Sequence, residues 1–248
     1  MRRLRVLLTR QEVVSDRLPG ATAVVLDVFM ATTTLLTILE NGARGVYTVS
    51  SLEEADGVAA KLDAESLLRG GEQDAARIEG YDHGPFPEEY APEVVNEKDV
   101  IFVTTNGTRA VADAAPADTV LLGTLRNASA VARYLEGSET ESIYFVCAGS
   151  AGRFAIEDFL GAATILSYMD VEGWHLNDGA WLALDFAAQH AEDFSGVLKQ
   201  SRAGRWFIEN DRKETFDFVA DLGASDLIPE VVEGKLRPAK EADQGGTT

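Results

Sequence analysis

The chain has one cysteine, Cys147, so no internal disulfide can form, and a cysteine-rich zinc site is not expected. Its three histidines, His83, His175 and His190, show no H-x-x-x-H metal spacing. Lysine is scarce: six Lys and sixteen Arg face 41 Asp plus Glu, for a net charge of −19. The excess acid is spread along the chain, which makes nucleic acid and anionic membrane poor partners. Dispersed acid with little lysine suits a protein working in concentrated salt, where self-repulsion is screened, so a halophilic source is expected. No apolar run reaches the roughly 18 residues of a membrane span. The basic, then apolar start MRRLRVLLTR is cut short by Arg10, Gln11 and Glu12, and reads as a first strand over 4–9, not a signal peptide. The expected location is the cytoplasm.

Three segments share one plan: an apolar strand, a turn rich in hydroxyls or glycine, then a helix. They are AVVLDVFMATTTLLTILENGA (23–43), DVIFVTTNGTRAVADAA (99–115) and SIYFVCAGSAGRFAIEDFLGAATIL (142–166). The shorter runs 45–51 and 118–125 read as strands that each lead into a further helix. Strands alternating with helices predict an α/β fold, a layered α/β/α arrangement on a largely parallel or mixed sheet. The length fits a single domain over 1–238, with room for two sublobes, followed by a flexible tail at 239–248. Residues 67–95 are rich in Gly, Pro and acids and read as a long ordered excursion of the kind that folds over a site. Residues 177–200 are helical in pattern, and 201–222 suggest one or two short helices.

Ligands in open α/β sheets bind where strands end and helices begin, at free N–H groups and the positive end of the helix dipole. The first turn offers Asp27 and Thr32, Thr33 and Thr34. An aspartate ending a buried strand is costly unless paired or bound to a cation. The second turn, TTNGT, offers Thr105, Asn106, Gly107 and Thr108, then Arg109. The third is AGSAG, followed by Arg153. None is a Walker or dinucleotide motif, and ordinary helix capping explains any one of them taken alone. Further acids accompany the turns: Glu72, Asp82, and Glu157 with Asp158 early in the third helix. Carboxylates converging beside phosphate-binding turns would suit Mg²⁺, which takes oxygen ligands and usually retains waters and a substrate phosphate. His83 is the one histidine in the excursion, and Cys147 reads as a small buried hydrophobe.

Taken in order, LDVFMATTTLLTILENGA, GGEQ…IEGYDHG, VIFVTTNGTRAV, LLGTLRNASAVA, VCAG…FAIEDFLGA and SRAGRWF…DFVADLGASDLIPEVVEGKL resemble the ComB family of Mg²⁺-dependent 2-phosphosulfolactate phosphatases over roughly residues 5–236. The resemblance implies Mg²⁺-dependent hydrolysis of a small phosphorylated hydroxy acid, 2-phosphosulfolactate to 3-sulfolactate and phosphate, within coenzyme M biosynthesis. It implies Asp27, Glu72 and Asp158 as catalytic acids. Thr32, Thr33, Thr34, Thr105, Asn106, Gly107, Thr108, Arg109 and Asn127 would bind substrate, and Asp27, Asp82, Glu157 and Asp158 would bind metal. The expected assembly is a homodimer. Three positions depart from the family pattern. Met30 and Gln73 stand where it usually has arginine, and Gly84-Pro85-Phe86-Pro87 where it has Gly-Asn-Ser-Pro. Two arginines fewer mean two fewer guanidinium forks for a phosphate or sulfonate. Arg109 and Arg153 are the replacements the sequence suggests. The alternatives are a different phosphorylated metabolite, or a phosphate-binding protein without catalysis.

Overall fold

The computed structural model describes residues 1–240. Of the tail expected at 239–248, residues 241–248 therefore lie outside the described residues. Strand β1 (Arg3–Leu7) is followed by short 3₁₀ turns and β2 (Thr22–Leu26), every residue of which is buried. Burial on both faces is the mark of a parallel strand covered by helices. Helix α1 (Ala31–Glu40) follows, then β3 (Gly45–Val49) and α2 (Leu52–Ala59), whose start is capped by Ser51.

The expected excursion contains regular structure. Residues 67–95 form β4 (Leu67–Gln73), a short β5 (Ala76–Arg77) and the one-turn helix α3 (Pro92–Val95). LLRGGEQ lacks the alternation of a strand because Gly70 and Gly71 answer to packing. A Cβ on Gly70 would lie 1.9 Å from the Tyr90 hydroxyl, and one on Gly71 1.8 Å from the Val103 carbonyl. Glycine admits that close backbone approach.

Next come β6 (Asp99–Val103), α4 (Gly107–Ala114), β7 (Thr119–Gly123), α5 (Ala128–Gly137), β8 (Ser142–Cys147) and α6 (Ile156–Ser167). The remaining elements are β9 (His175–Leu176), α7 (Asp178–His190), α8 (Phe194–Gln200), α9 (Arg202–Glu209), α10 (Lys213–Val219), β10 (Pro229–Val232) and β11 (Lys235–Pro238). The last two form a hairpin that the sequence pattern did not announce. Its turn, Glu233-Gly234, has φ of +52° and +76°, the two-residue geometry that suits a strand twist.

The described residues form an eleven-stranded mixed sheet in the order β5-β4-β6-β3-β11-β10-β7-β2-β8-β1-β9. The pairs β4–β6, β3–β6, β2–β7, β2–β8, β1–β8 and β1–β9 are parallel. The β10–β11 hairpin bridges β3 and β7 by short antiparallel pairings, so it joins two parallel halves. Helices α1 and α4 pack against strands of both halves, which therefore wrap around them. One core cluster joins Val25 and Val146 of one half to Val46 and Phe102 of the other. A second cluster lies under α5, α6 and α7, and a third under α2. The outcome is an α/β fold with α2, α5, α6 and α7 on the outer face of the sheet and α1 and α4 inside its curve. That curvature brings the carboxyl ends of β4 and β6 near those of β2 and β8, although four strands lie between β6 and β2 in the order.

Among the described residues no helix is long and apolar enough to cross a membrane.

Candidate functional site

A cleft of about 530 Å³ opens where the two halves meet. All three strand-to-helix turns line it, through Asp27, through Thr104 to Asn106, and through Gly149 to Ala151. The β4–β5 turn adds Glu72 and Asp74, α6 adds Glu157 and Asp158, and α9 adds Arg202, Trp206 and Phe207.

The threonine run after Asp27 is buried and engaged with backbone. Thr32 Oγ1 lies 2.9 Å from the carbonyl oxygens of both Asp27 and Gly123, which ties the start of α1 to β7. Thr33 Oγ1 donates to the Val28 carbonyl at 2.9 Å and Thr34 Oγ1 to the Pro85 carbonyl at 2.6 Å. These hydroxyls hold the turn and the 84–87 segment in place, and none of the three lines the cleft. Asp27 is only 8% exposed. Burial pushes its carboxyl up to about 7; repulsion from Glu72 and Glu157 adds to this, against hydrogen bonds from the Ala31 and Met30 N–H groups.

Asp158 is also buried, and its carboxyl is raised well above the usual range. Burial is the main cause, then repulsion from Asp27 and Glu157. Its two oxygens accept from the Val28 and Gly149 N–H groups, each at 2.9 Å, so it pins together the ends of β2 and β8. Glu157 is raised by burial and held down in part by Arg202 and by a hydrogen bond with Ser201. Burial is the main cause at all three acids; repulsion from neighbouring carboxylates adds to it at Asp27 and Asp158, while Arg202 partly relieves Glu157.

Glu72 reaches across from β4 to the TTNGT turn. It accepts from the Thr105 N–H at 2.6 Å, from Thr105 Oγ1 at 3.0 Å and from the Ala75 N–H at 2.7 Å. Within that turn Thr108 and Thr104 exchange reciprocal hydrogen bonds at 3.0 Å. A Cβ on Gly107 would lie 2.4 Å from Ala31 Cβ and 2.6 Å from Asp27 Oδ2, so only glycine lets the start of α4 come this close to Asp27. Asn106, at the head of α4, lines the cleft and makes no capping hydrogen bond with its side chain.

The structure thus brings Asp27, Glu72, Glu157, Asp158, Thr105 and Asn106 to one cleft, with Gly107 and Thr108 shaping its wall. Other sequence candidates lie elsewhere. Asp82 is exposed, off the cleft, and accepts from the Arg69 N–H at 2.8 Å. Asn127 is spent on backbone: it accepts from the Thr124 N–H at 2.8 Å and donates to the Leu122 and Leu227 carbonyls at 3.1 Å. Arg109 and Arg153 are exposed and do not line the cleft; the cation found there is Arg202. His83 packs beside Tyr90, with ring centroids 5.3 Å apart, and Cys147 is buried. The sequence pattern missed Arg202 because its segment read only as a short helix. It also missed an aromatic wall: Phe29 stacks on Phe207 at 4.7 Å, with Phe86 and Trp206 edge-on to Phe207.

The oxygen-only donors suit a hard cation. Among the described residues no group of three or more His, Cys, Asp or Glu side chains is arranged to hold a metal ion by itself.

A family model described as 2-phosphosulpholactate phosphatase matches residues 7–234. Relatives carrying the description "probable 2-phosphosulfolactate phosphatase" cover almost the whole chain. One from Clostridium perfringens is 42% identical over 95% of this chain and 96% of its own length. One from Symbiobacterium thermophilum is 36% identical over 90% and 96%. A third, from Caldanaerobacter subterraneus subsp. tengcongensis, is 34% identical over 92% and 95%.

Proposed function

This chain belongs to the 2-phosphosulfolactate phosphatase family, and we propose that its cleft hydrolyses the phosphate monoester of a small hydroxy acid with Mg²⁺ as cofactor. The proposed reaction is 2-phosphosulfolactate to 3-sulfolactate and phosphate, within coenzyme M biosynthesis. The observation that carries the proposal is the convergence of Asp27, Glu157 and Asp158, with raised carboxyls, beside the open head of α4.

Asp27 and Asp158 would hold the metal, with Glu157 at its edge. When bound, Mg²⁺ supplies charge neutralisation at the phosphoryl oxygens. The protein's own part is positioning. Since Thr104 Oγ1 already holds the Thr108 N–H, the Gly107 N–H and the Asn106 amide are the donors offered to the phosphoryl group, without adding charge. Glu72 locks the turn that presents them. Asp27, whose Oδ2 lies against Gly107 at the head of α4, is the acid placed to orient the attacking group. The aromatic wall limits access of bulk water to that corner, which strengthens every charge interaction inside.

The test is release of inorganic phosphate from 2-phosphosulfolactate by the purified protein, with Mg²⁺ and with EDTA. Mg²⁺-dependent release is expected. No release from this ester or from a panel of phosphorylated hydroxy acids would leave a phosphate-binding protein instead.

The same proposal takes residues 1–238 as one domain and the protein as cytoplasmic; it also takes the protein as a homodimer, a reading that the exposed Trp181 and Leu182 on α7 support. It extends to a saline habitat, supported by the dispersed charge of −19. The Debye length falls from about 30 Å at 0.01 M salt to about 3 Å at 1 M. The melting temperature is therefore expected to climb between 0.01 M and 1 M KCl. A flat or falling curve would remove the saline habitat.

A further inference from the structure

The charges lining the cleft are lopsided. Asp27, Glu72, Asp74, Glu157 and Asp158 contribute carboxylates, and among the described residues Arg202 is the one cation in the lining. Arg202 is the first residue of α9, whose start is capped by Ser201 Oγ accepting from the Gly204 N–H at 2.7 Å. Its guanidinium donates to Ser150 Oγ in the loop after β8. In a chain with nearly twice as many acids as bases, Arg202 forms no ion pair among the described residues. One nitrogen of its fork is held by Ser150, and the residue lines the cleft, where its charge also acts on Glu157.

The proposed substrate carries three acidic groups: phosphate, sulfonate and carboxylate. The phosphoryl group has its partners on the floor and at the head of α4. Arg202 stands on a different wall, formed by α9 and the 149–151 loop. The floor and the TTNGT turn offer no second cationic side chain among the described residues. A planar guanidinium with free N–H groups matches the oxygens of a sulfonate or a carboxylate. Resting on the phosphatase reading above, the geometry points to Arg202 as the specificity determinant that grips the acidic substituent of the substrate, apart from its phosphate.

The experiment compares Arg202→Gln with the unmodified protein on four esters. These are 2-phosphosulfolactate, 2-phospholactate (carboxylate only), the phosphate ester of isethionate (sulfonate only) and isopropyl phosphate (neither). The expected readout is a fall of about tenfold or more in the ratio of kcat/KM for 2-phosphosulfolactate over isopropyl phosphate, carried by KM, the scale for losing a charge-assisted hydrogen bond. Whichever single-acid ester shows the same fall identifies the group held. Arg202→Lys is expected to recover part of the loss, because it restores charge without the fork. An unchanged ratio would overturn the assignment, since it would mean that Arg202 serves the phosphate or nothing. Calorimetric binding of 3-sulfolactate, which needs no turnover, separates this from failure of the phosphatase reading. If no ester is hydrolysed, weaker sulfolactate binding in Arg202→Gln still supports the assignment, and equal binding overturns it. Circular dichroism melts check that the variants fold.

Discussion

Replacing Asp27 with asparagine is expected to lower turnover at saturating Mg²⁺ by about a hundredfold, or roughly 2.7 kcal/mol of barrier, while making the metal-free protein more stable at neutral pH. The two effects share one origin. Asp27 ends a strand buried on both faces and is itself almost out of water. Its carboxyl is raised from 3.8 to about 7, first by burial and then by Glu72 and Glu157. A group raised by some three pH units costs the fold up to about 4 kcal/mol once it is ionised. Asparagine keeps the shape, can still accept from the Ala31 N–H through its oxygen, and removes the charge. It also removes the ligand and the oriented acid on which the proposed chemistry depends. Strain that persists at a functional position and is relieved when function is removed is the expected pattern. Kinetics and thermal melts in EDTA at pH 8 provide the check. Turnover equal to that of the unmodified protein would take Asp27 out of the chemistry and leave Glu72 and Asp158 as the leading acids.

Asp27 was legible in the sequence because a lone acid at the end of VVL is anomalous on burial grounds alone. The three-fold strand–turn–helix plan was legible for a similar reason: β2, β6 and β8 are uninterrupted apolar runs, and each leads to a break rich in Thr, Asn or Gly. The threonines illustrate the limit of such a pattern. Thr32, Thr33 and Thr34 have the composition of an anion cradle, yet their hydroxyls are spent on carbonyls of residues 27, 28, 85 and 123. Which oxygen a hydroxyl meets is a tertiary fact. Asn127 is a second case, since one of its partners is Leu227, 100 residues away.

Two features were hidden for reasons of topology. The strand β4 carries two adjacent glycines that make room for Tyr90 and the Val103 carbonyl, and this erases its periodicity. Arg202 lies in a helix that looks peripheral in sequence, and it reaches the cleft only because α9 packs with α8 and α10 over the end of α6. Arg109, which follows the TTNGT turn directly, falls on the outer face of α4. A residue's distance along the chain from a recognisable turn is a poor guide to which side chain faces the ligand.

In metal-free buffer the protein is expected to lose stability as pH rises from about 4 to 7, and Mg²⁺ is expected to restore it. The direction is the reverse of that for a salt-bridged carboxylate. Asp27 and Asp158 both have folded values above their ordinary ones. Between the unfolded value of Asp27, 3.8, and its folded value, about 7, the native state binds the proton more tightly than the unfolded chain. Stability is therefore complete below the lower value and is lost as pH climbs through the upper one. An upper limit of about 4 kcal/mol for Asp27 alone corresponds to roughly 8–16 °C in melting temperature for a chain of this size. The dispersed surface acids also repel more as pH rises, so melts are run at constant high KCl, and the difference between the unmodified protein and Asp27→Asn isolates the local contribution. That difference should grow from pH 4 to 7 and then level off. A divalent cation that binds only the folded, ionised pair adds about 2.7 kcal/mol at a hundred times its dissociation constant. Protons compete for the same oxygens, so the Mg²⁺-induced rise in melting temperature should be larger at pH 8 than at pH 5, and small in Asp27→Asn at either pH. Melting curves for both proteins that superimpose from pH 4 to 8, unmoved by MgCl₂ in place of EDTA, would show that these buried acids neither strain the fold nor hold a cation.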